Sequence, residues 1–195
     1  MELIIVAGMP ATGKSTLAAE LAQAFSYPIL EKDGIKEVLF DTIGFENYPQ
    51  KRRLDIAASG VLLHTLEQML KADTSVIVIN NFDTEGAAQL CELMEKYQPR
   101  SVTVFLNGDA EVLYRRYVER DHQHLRHLGH ILQEHYPPHE GDALDYTMTR
   151  EEFDEKFFKR GMDKFSCPGG RINLDMTDFD AVCVEDVVRQ IRERL

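Results

Sequence analysis

Leu3-Ile4-Ile5-Val6-Ala7 is an unbroken apolar run near the start of the chain. A short run with no polar alternation predicts a strand from Glu2 to Ala7, covered on both faces at the centre of a parallel sheet. The pattern then becomes helical, with Leu17, Leu21 and Ala24 on one side, and runs to about Phe25, where Tyr27-Pro28 ends it. Pro28 to Glu31 reads as a short second strand. Asp41 to Pro49, with Gly44 and Asn47, reads as a loop. A long helix follows from about Gln50 to Lys71, with Leu54, Ala58, Leu62, Leu66 and Met69 in its apolar stripe. Ser75 to Ile79 is β-branched after its first residue and predicts a third strand. Thr84 to Tyr97 predicts an amphipathic helix, and Ser101 to Leu106 a fourth strand. Asp109 caps a helix from Ala110 to about Arg120. The segment up to about Asp145, with Pro137-Pro138 and Gly141, reads as a mobile flap, giving a lid region at about 121–148. Tyr146 to Arg160 predicts a helix in which Thr149 and Glu152 form a capping box. Arg171 to Met176 alternates as a fifth strand, and Asp186 to Leu195 closes the chain as a helix. Strands alternating with helices predict an α/β fold.

Composition narrows the class. The 195 residues suit one domain, 1–195, and can bury a core without staples. No apolar run approaches the roughly 20 residues of a membrane span. Met1-Glu2-Leu3 leads directly into the first strand, with no basic segment and cleavage site before it. Cys91, Cys167 and Cys183 are odd in number and without metal-like spacing, so free thiols are expected. These features predict a cytoplasmic protein with no membrane partner. The net charge of −11 argues against a nucleic-acid partner unless a basic cleft is carved into the acidic surface.

The chemistry concentrates after the first strand. Gly8-Met9-Pro10-Ala11-Thr12-Gly13-Lys14-Ser15 has the spacing G-x-x-x-x-G-K-S between a strand and a helix. That context marks a phosphate-binding loop. Its backbone N–H groups, reinforced by the following helix, would cradle an anion. Lys14 would reach the β- and γ-phosphates, and the Ser15 hydroxyl would sit on Mg²⁺. Thr16 completes the expected binding stretch.

Other candidates surround the loop. Asp33 lies just past the second strand, on the side where ligands gather in parallel sheets. It would take a proton from an acceptor hydroxyl, help hold Mg²⁺ through water, or simply cap a helix. Lys51-Arg52-Arg53 is a basic cluster, read either as anion-facing or as a solvated run. Asn80-Asn81 ends the third strand where a metal-supporting acid is usual. Arg116, Arg120 and Arg126 are candidates for stabilising charge in phosphoryl transfer. Six of the seven histidines fall between His122 and His139, without a standard zinc spacing. They read as donors to phosphate or hydroxyl groups.

The phosphate loop, Lys32-Asp33-Gly34-Ile35-Lys36, Asn80-Asn81-Phe82 and Arg116 through Arg126-His127-Leu128-Gly129-His130 together resemble the P-loop kinase superfamily. The similarity is greatest to its AAA_33/zeta-toxin-like branch, with polynucleotide kinase and chloramphenicol phosphotransferase relatives. The resemblance implies a three-layer sandwich around a five-stranded parallel sheet, ATP with Mg²⁺, and phosphorylation of a hydroxyl on a small molecule. It implies Asp33 as base and Arg116, Arg120 and Arg126 as transition-state clamps. Lys36 stands where these relatives often carry arginine, and Leu128 interrupts what is often an Arg-His-Pro-Gly-His run. A nucleotide-dependent regulator without an acceptor, or a kinase of nucleic-acid 5′ ends, are the alternatives.

Overall fold

The computed structural model describes residues 1–142, 144 and 147–195. The expected strand β1, Glu2–Gly8, is the middle strand of a five-stranded parallel sheet. Its neighbours are β3 (Val76–Ile79) and β4 (Arg100–Asn107). Outside them lie β2 (Ile29–Glu31) and β5 (Gly170–Asp175), giving the order β2-β3-β1-β4-β5. Leu3 through Ala7 are fully buried because both faces of the sheet are covered.

The alternation along β1 divides the core. Ile4 and Val6 point to one face and meet Leu17, Ala18 and Leu21 of α1 (Lys14–Phe25) and Val187 and Ile191 of the closing helix, Val184–Arg192. Leu3, Ile5 and Ala7 point to the other and meet Leu62, Leu66 and Leu70 of α3 (Tyr48–Lys71) and Leu90 and Met94 of α4 (Thr84–Tyr97). The result is a three-layer α/β sandwich: the α/β class that the sequence pattern predicts, with the layers that the family resemblance implies.

Local chemistry sets where several elements begin and end. The helix α2 runs from Lys32 to Ile43, past the predicted loop start at Asp41. It stops at Gly44, whose φ of 71° is open to glycine at little cost. Asn47 caps α3 by accepting from the Gln50 N–H at 3.0 Å, so the helix starts earlier than Gln50. Pro49 is tolerated in its first turn. The capping box of Thr149 and Glu152 forms and opens α helix Arg150–Phe153. The chain then winds as a π-helix over Asp154–Phe158. The predicted helix start at Tyr146 and flap end at Asp145 lie outside the described residues.

The lid segment that follows helix Ala110–His122 is docked on α2 and α3. Phe40, Phe45, Leu54 and Leu132 form a small core there, and Phe45 pairs with Tyr136 in an isolated antiparallel bridge. The cysteines depart from expectation. Cys91 of α4 and Cys167 are joined in a disulfide, with Cα atoms 5.8 Å apart, and only Cys183 is free. The packing of α4 against the loop before β5 makes the pair; their separation of 76 residues gave no local signal. No helix among the described residues is long and apolar enough to cross a membrane.

Two glycines give opposite expectations. A Cβ on Gly8 would lie 1.9 Å from the Leu106 carbonyl oxygen at a φ of 132°, whereas a Cβ on Gly60 within α3 meets nothing within 4 Å. Gly8→Ala should cost at least about 3 kcal/mol. Gly60→Ala should stabilise by about 0.5–1 kcal/mol. Urea denaturation of the two variants checks both signs.

Candidate active site

The loop between β1 and α1 is held open from below. Met9 N–H donates to the Leu106 carbonyl at 3.0 Å, and its side chain is buried against Leu113 and Tyr117. The Thr12 hydroxyl donates to the Met9 carbonyl at 2.7 Å, which closes the turn. Ala11 and Gly13 both take positive φ. No side chain caps α1, so its first N–H groups are left for an anion. Pro10, Ala11, Thr12, Gly13, Lys14, Ser15 and Thr16 line a cleft of about 720 Å³, while Gly8 and Met9 support the loop from beneath.

Lys14 and Ser15 turn into this cleft. The Lys14 ammonium donates to the Met9 carbonyl and lies 3.5 Å from the Thr12 hydroxyl. Burial pushes its pKa down to about 7, against the pull of Asp33 and Glu31. The Ser15 hydroxyl donates to Glu31 Oε1 at 2.6 Å. Ser15 is thus bonded to Glu31, the last residue of β2, rather than to Asp33. The hydroxyl and carboxylate are hard oxygen donors and fit a Mg²⁺ ion with its water shell. Asn80 and Asn81 bring no charge; the Asn80 side chain accepts from the Asn81 N–H.

Asp33 sits in the first turn of α2, lining the cleft, and Glu31 occupies the cap position instead. Its carboxylate makes no hydrogen bond or ion pair among the described residues. Burial alone would raise its pKa, but His130, Lys36, Arg126 and Lys32 hold it below the ordinary range. The group is therefore an ionised, unpaired carboxylate inside the cleft. Lys32 and Lys36 are kept in place by Asp55 of α3, at 3.0 and 3.2 Å. Burial would raise that carboxyl too; the two lysines hold it far below the usual carboxylate range.

The three arginines part company. Arg120 and Arg126 lie near Asp121, which is buried; Arg126 bonds it at 3.4 Å and the Tyr117 hydroxyl at 3.2 Å. Arg120 Nε approaches the same carboxylate at 3.9 Å and has no hydrogen-bond partner. Arg116 is committed elsewhere. Its guanidinium donates to the Met176 and Thr177 carbonyls and stacks 3.8 Å from the centre of the Phe179 ring. That ring borders Gly13, on the rim of the cleft. Arg116 therefore shapes an aromatic wall beside the phosphate loop, and Arg120 and Arg126 are left to face charge.

The lid histidines, read as donors to phosphate or hydroxyl groups, meet both hydroxyls and carboxylates: His122 bonds the Thr147 hydroxyl at 2.5 Å, and three of the six bond carboxylates. His127 bonds Asp41 at 3.0 Å, His130 bonds Glu37 at 3.0 Å, and His135 bonds Asp142 at 2.6 Å. His130 alone among these lines the cleft. Burial lowers its pKa more than Glu37 and Asp33 raise it, so it is neutral at pH 7. Sequence reasoning missed Glu31, Asp121, Phe179 and Lys156. Glu31 had a usable signal, its place at the carboxyl end of a parallel strand.

A five-stranded parallel sheet with a phosphate loop after its central strand defines a nucleotide-binding P-loop kinase fold. The model of the AAA_33 family, described as an AAA domain, matches residues 3–138, and the chain belongs to that family. Among solved structures, a protein of Chloroflexus aurantiacus described as a "putative kinase" is 27% identical, with a TM-score of 0.81 over 100% of this chain and 98% of that one. A gluconokinase of Sinorhizobium meliloti is 18% identical, with a TM-score of 0.54 over 97% and 89%. Kti12 of Chaetomium thermophilum, solved with ADP-AlF3, is 17% identical, with a TM-score of 0.58 over 98% of each chain. The last two similarities concern the fold alone. The search of curated proteins gave no match.

Lys14 provides a pH test. With a pKa of about 7 in the free protein, it must take up a proton as phosphates restore its charge. Affinity for ATP should therefore fall as pH rises above 7, by up to about tenfold per unit. Titration calorimetry at pH 8 in buffers of different ionisation enthalpy should show proton uptake that is absent in Lys14→Met.

Proposed function

We propose that this protein is an ATP-dependent phosphotransferase that moves the γ-phosphoryl group to a hydroxyl of a small molecule, with Mg²⁺. The observation that carries this reading is Asp33. A half-buried carboxylate without a partner is costly unless it is needed. Here it lines the same cleft as Lys14 and Arg120, where a hydroxyl poised against the γ-phosphate would find it.

In the proposed reaction the acceptor oxygen bonds to the γ-phosphorus as the bond to the β–γ bridging oxygen breaks, and ADP leaves. The hydroxyl proton passes to Asp33. A carboxylate held below its usual pKa is a weak base, which suits a loose transition state where the proton moves late. Lys14 neutralises the β- and γ-phosphates. Arg120, with its free Nε, and Arg126, pinned by Asp121 and Tyr117, face the oxygens over which charge shifts. Mg²⁺ would neutralise the polyphosphate, and Ser15 and Glu31 are the residues to hold it, with Asp33 nearby. A small acceptor is preferred over nucleic acid because the acidic chain outside the cleft would repel a polyanion. A regulator without acceptor draws support from the missing acid after β3, yet Glu31 offers a carboxylate from β2 instead.

Lys14→Ala should abolish transfer. Asp33→Asn should keep ATP affinity within about threefold and lower kcat by roughly 10²–10⁴-fold, the usual worth of a positioned acid–base group. A mass-spectrometric screen for phosphorylated alcohols, with both variants alongside, reads this out. Full transfer by Lys14→Ala would end the kinase reading. Glu31→Gln should raise the Mg²⁺ concentration for half-maximal turnover by about 10–100-fold.

A further inference from the structure

The cleft is far more cationic than the protein around it. Ten lysine and arginine side chains line it against five carboxylates, in a chain of net charge −11. The cations fall into two groups. The charges acting most on Lys14 are Asp33, Arg120, Glu31 and Arg126. Those acting most on Lys51 are Lys156, Lys36 and Arg126. Lys156 feels chiefly Arg126 and Lys36. Lys36 of α2, Lys51 of α3 and Lys156 of the π-helix line the same cleft as the phosphate loop and make up a second cationic end.

ATP phosphates account for the first end but not the second. Lys51 is buried, and its ammonium donates to the carbonyls of His130 and Leu132. Lys156 has no ion pair or hydrogen bond among the described residues, and its ammonium lies 5.4 Å from the centre of the neighbouring Phe157 ring. Burial and the adjacent cations lower both lysines, to about 7 and about 8, which is what a missing counter-charge does. Lys156 lies in the π-helix and lines the cleft, and single π turns recur at functional sites.

We propose that the second end binds an anionic group on the acceptor, so that the substrate is an alcohol bearing a phosphate or a carboxylate, gripped by Lys156 with Lys51 beside it. The inference rests on the kinase reading for the word acceptor, but the anion site stands on its own geometry. The anion would sit at these lysines, in the cleft that Asp33 also lines, leaving a hydroxyl of the same molecule to reach Asp33. Neutral alcohols and aminoglycoside-like polycations would meet three or more crowded cations with nothing to offer them.

The test uses the full chain and matched acceptors: glycerol, glycerate and glycerol 3-phosphate, and ribose, ribonate and ribose 5-phosphate. Binding to the ADP-loaded protein is measured by calorimetry, and transfer with ATP and Mg²⁺ by mass spectrometry. At least one charged member should bind 100-fold or more tightly than its neutral partner; the carboxylate and phosphate arms identify which anion. In Lys156→Met that preference should fall at least tenfold, and Lys156→Glu should reverse it. Lys71→Met, a surface lysine paired with Glu67 at 3.5 Å, should leave it unchanged. Equal binding of charged and neutral members, no binding of any charged member, or a preference that survives Lys156→Met would overturn the inference. Selective anion binding that depends on Lys156, with no transfer to any alcohol, would support it while sinking the kinase reading.

Discussion

The site depends on one close approach, that of the end of β1 to the end of β4. At Gly8 the two backbones come nearer than any Cβ would permit, and the next residue donates its N–H to Leu106. This contact steers the chain up and around into the phosphate loop. The Met9 carbonyl then receives both Thr12 and Lys14, so the lysine is gathered by the same turn that shapes the anion nest. A hydrophobic sheet interior supplies the rigidity. β1 is buried on both faces and cannot shift without breaking two layers of packing.

Around that fixed loop the charges are arranged in a chain of dependencies. Asp121 positions Arg126 and lies beside Arg120; Asp55 positions Lys32 and Lys36; those cations in turn keep Asp33 ionised inside the cleft. Carboxylates behind the site hold cations in front of it. Asp33 and Lys156, both half-buried, line the cleft without a hydrogen-bond or ion-pair partner among the described residues. Such charges of opposite sign in one cavity are where a polar ligand would supply what the protein withholds. The docked lid contributes by closing over α2 and α3. Lys51 reaches its carbonyls, and His127 and His130 reach the acids of α2. This side of the cleft is therefore built jointly by segments far apart in sequence.

Much of the architecture was legible along the chain. Continuous apolar runs marked the buried parallel strands, and alternating strands and helices marked an α/β fold, because period and burial are local properties; the three layers were implied by the family resemblance. The phosphate loop was legible for the same reason: its glycines, lysine and serine act within one turn of backbone. Asp33 was found from its position at a strand end. The boundaries of α2 and α3 were less accurate, since Gly44 and Asn47 set them through conformations that pattern alone does not weigh.

What required the tertiary structure is every contact across the fold. Sequence assigned three arginines one role; all three line the cleft, but packing stacks Arg116 on Phe179 and sets Arg120 and Arg126 around Asp121. Sequence counted three unpaired cysteines; the closeness of α4 to the loop before β5 joined two of them. Of the histidines that invited a ligand role, three met carboxylates and His122 met a hydroxyl. Glu31 came to the site when β2 was brought to α1, and Lys156 when the π-helix was brought to the cleft. The chain's own order determined the sheet and the anion nest because their forces act between near neighbours or along a single period. Which charges stand unpaired inside the cleft was decided by the three-dimensional arrangement, since pairing depends on distance in space and not on separation along the chain.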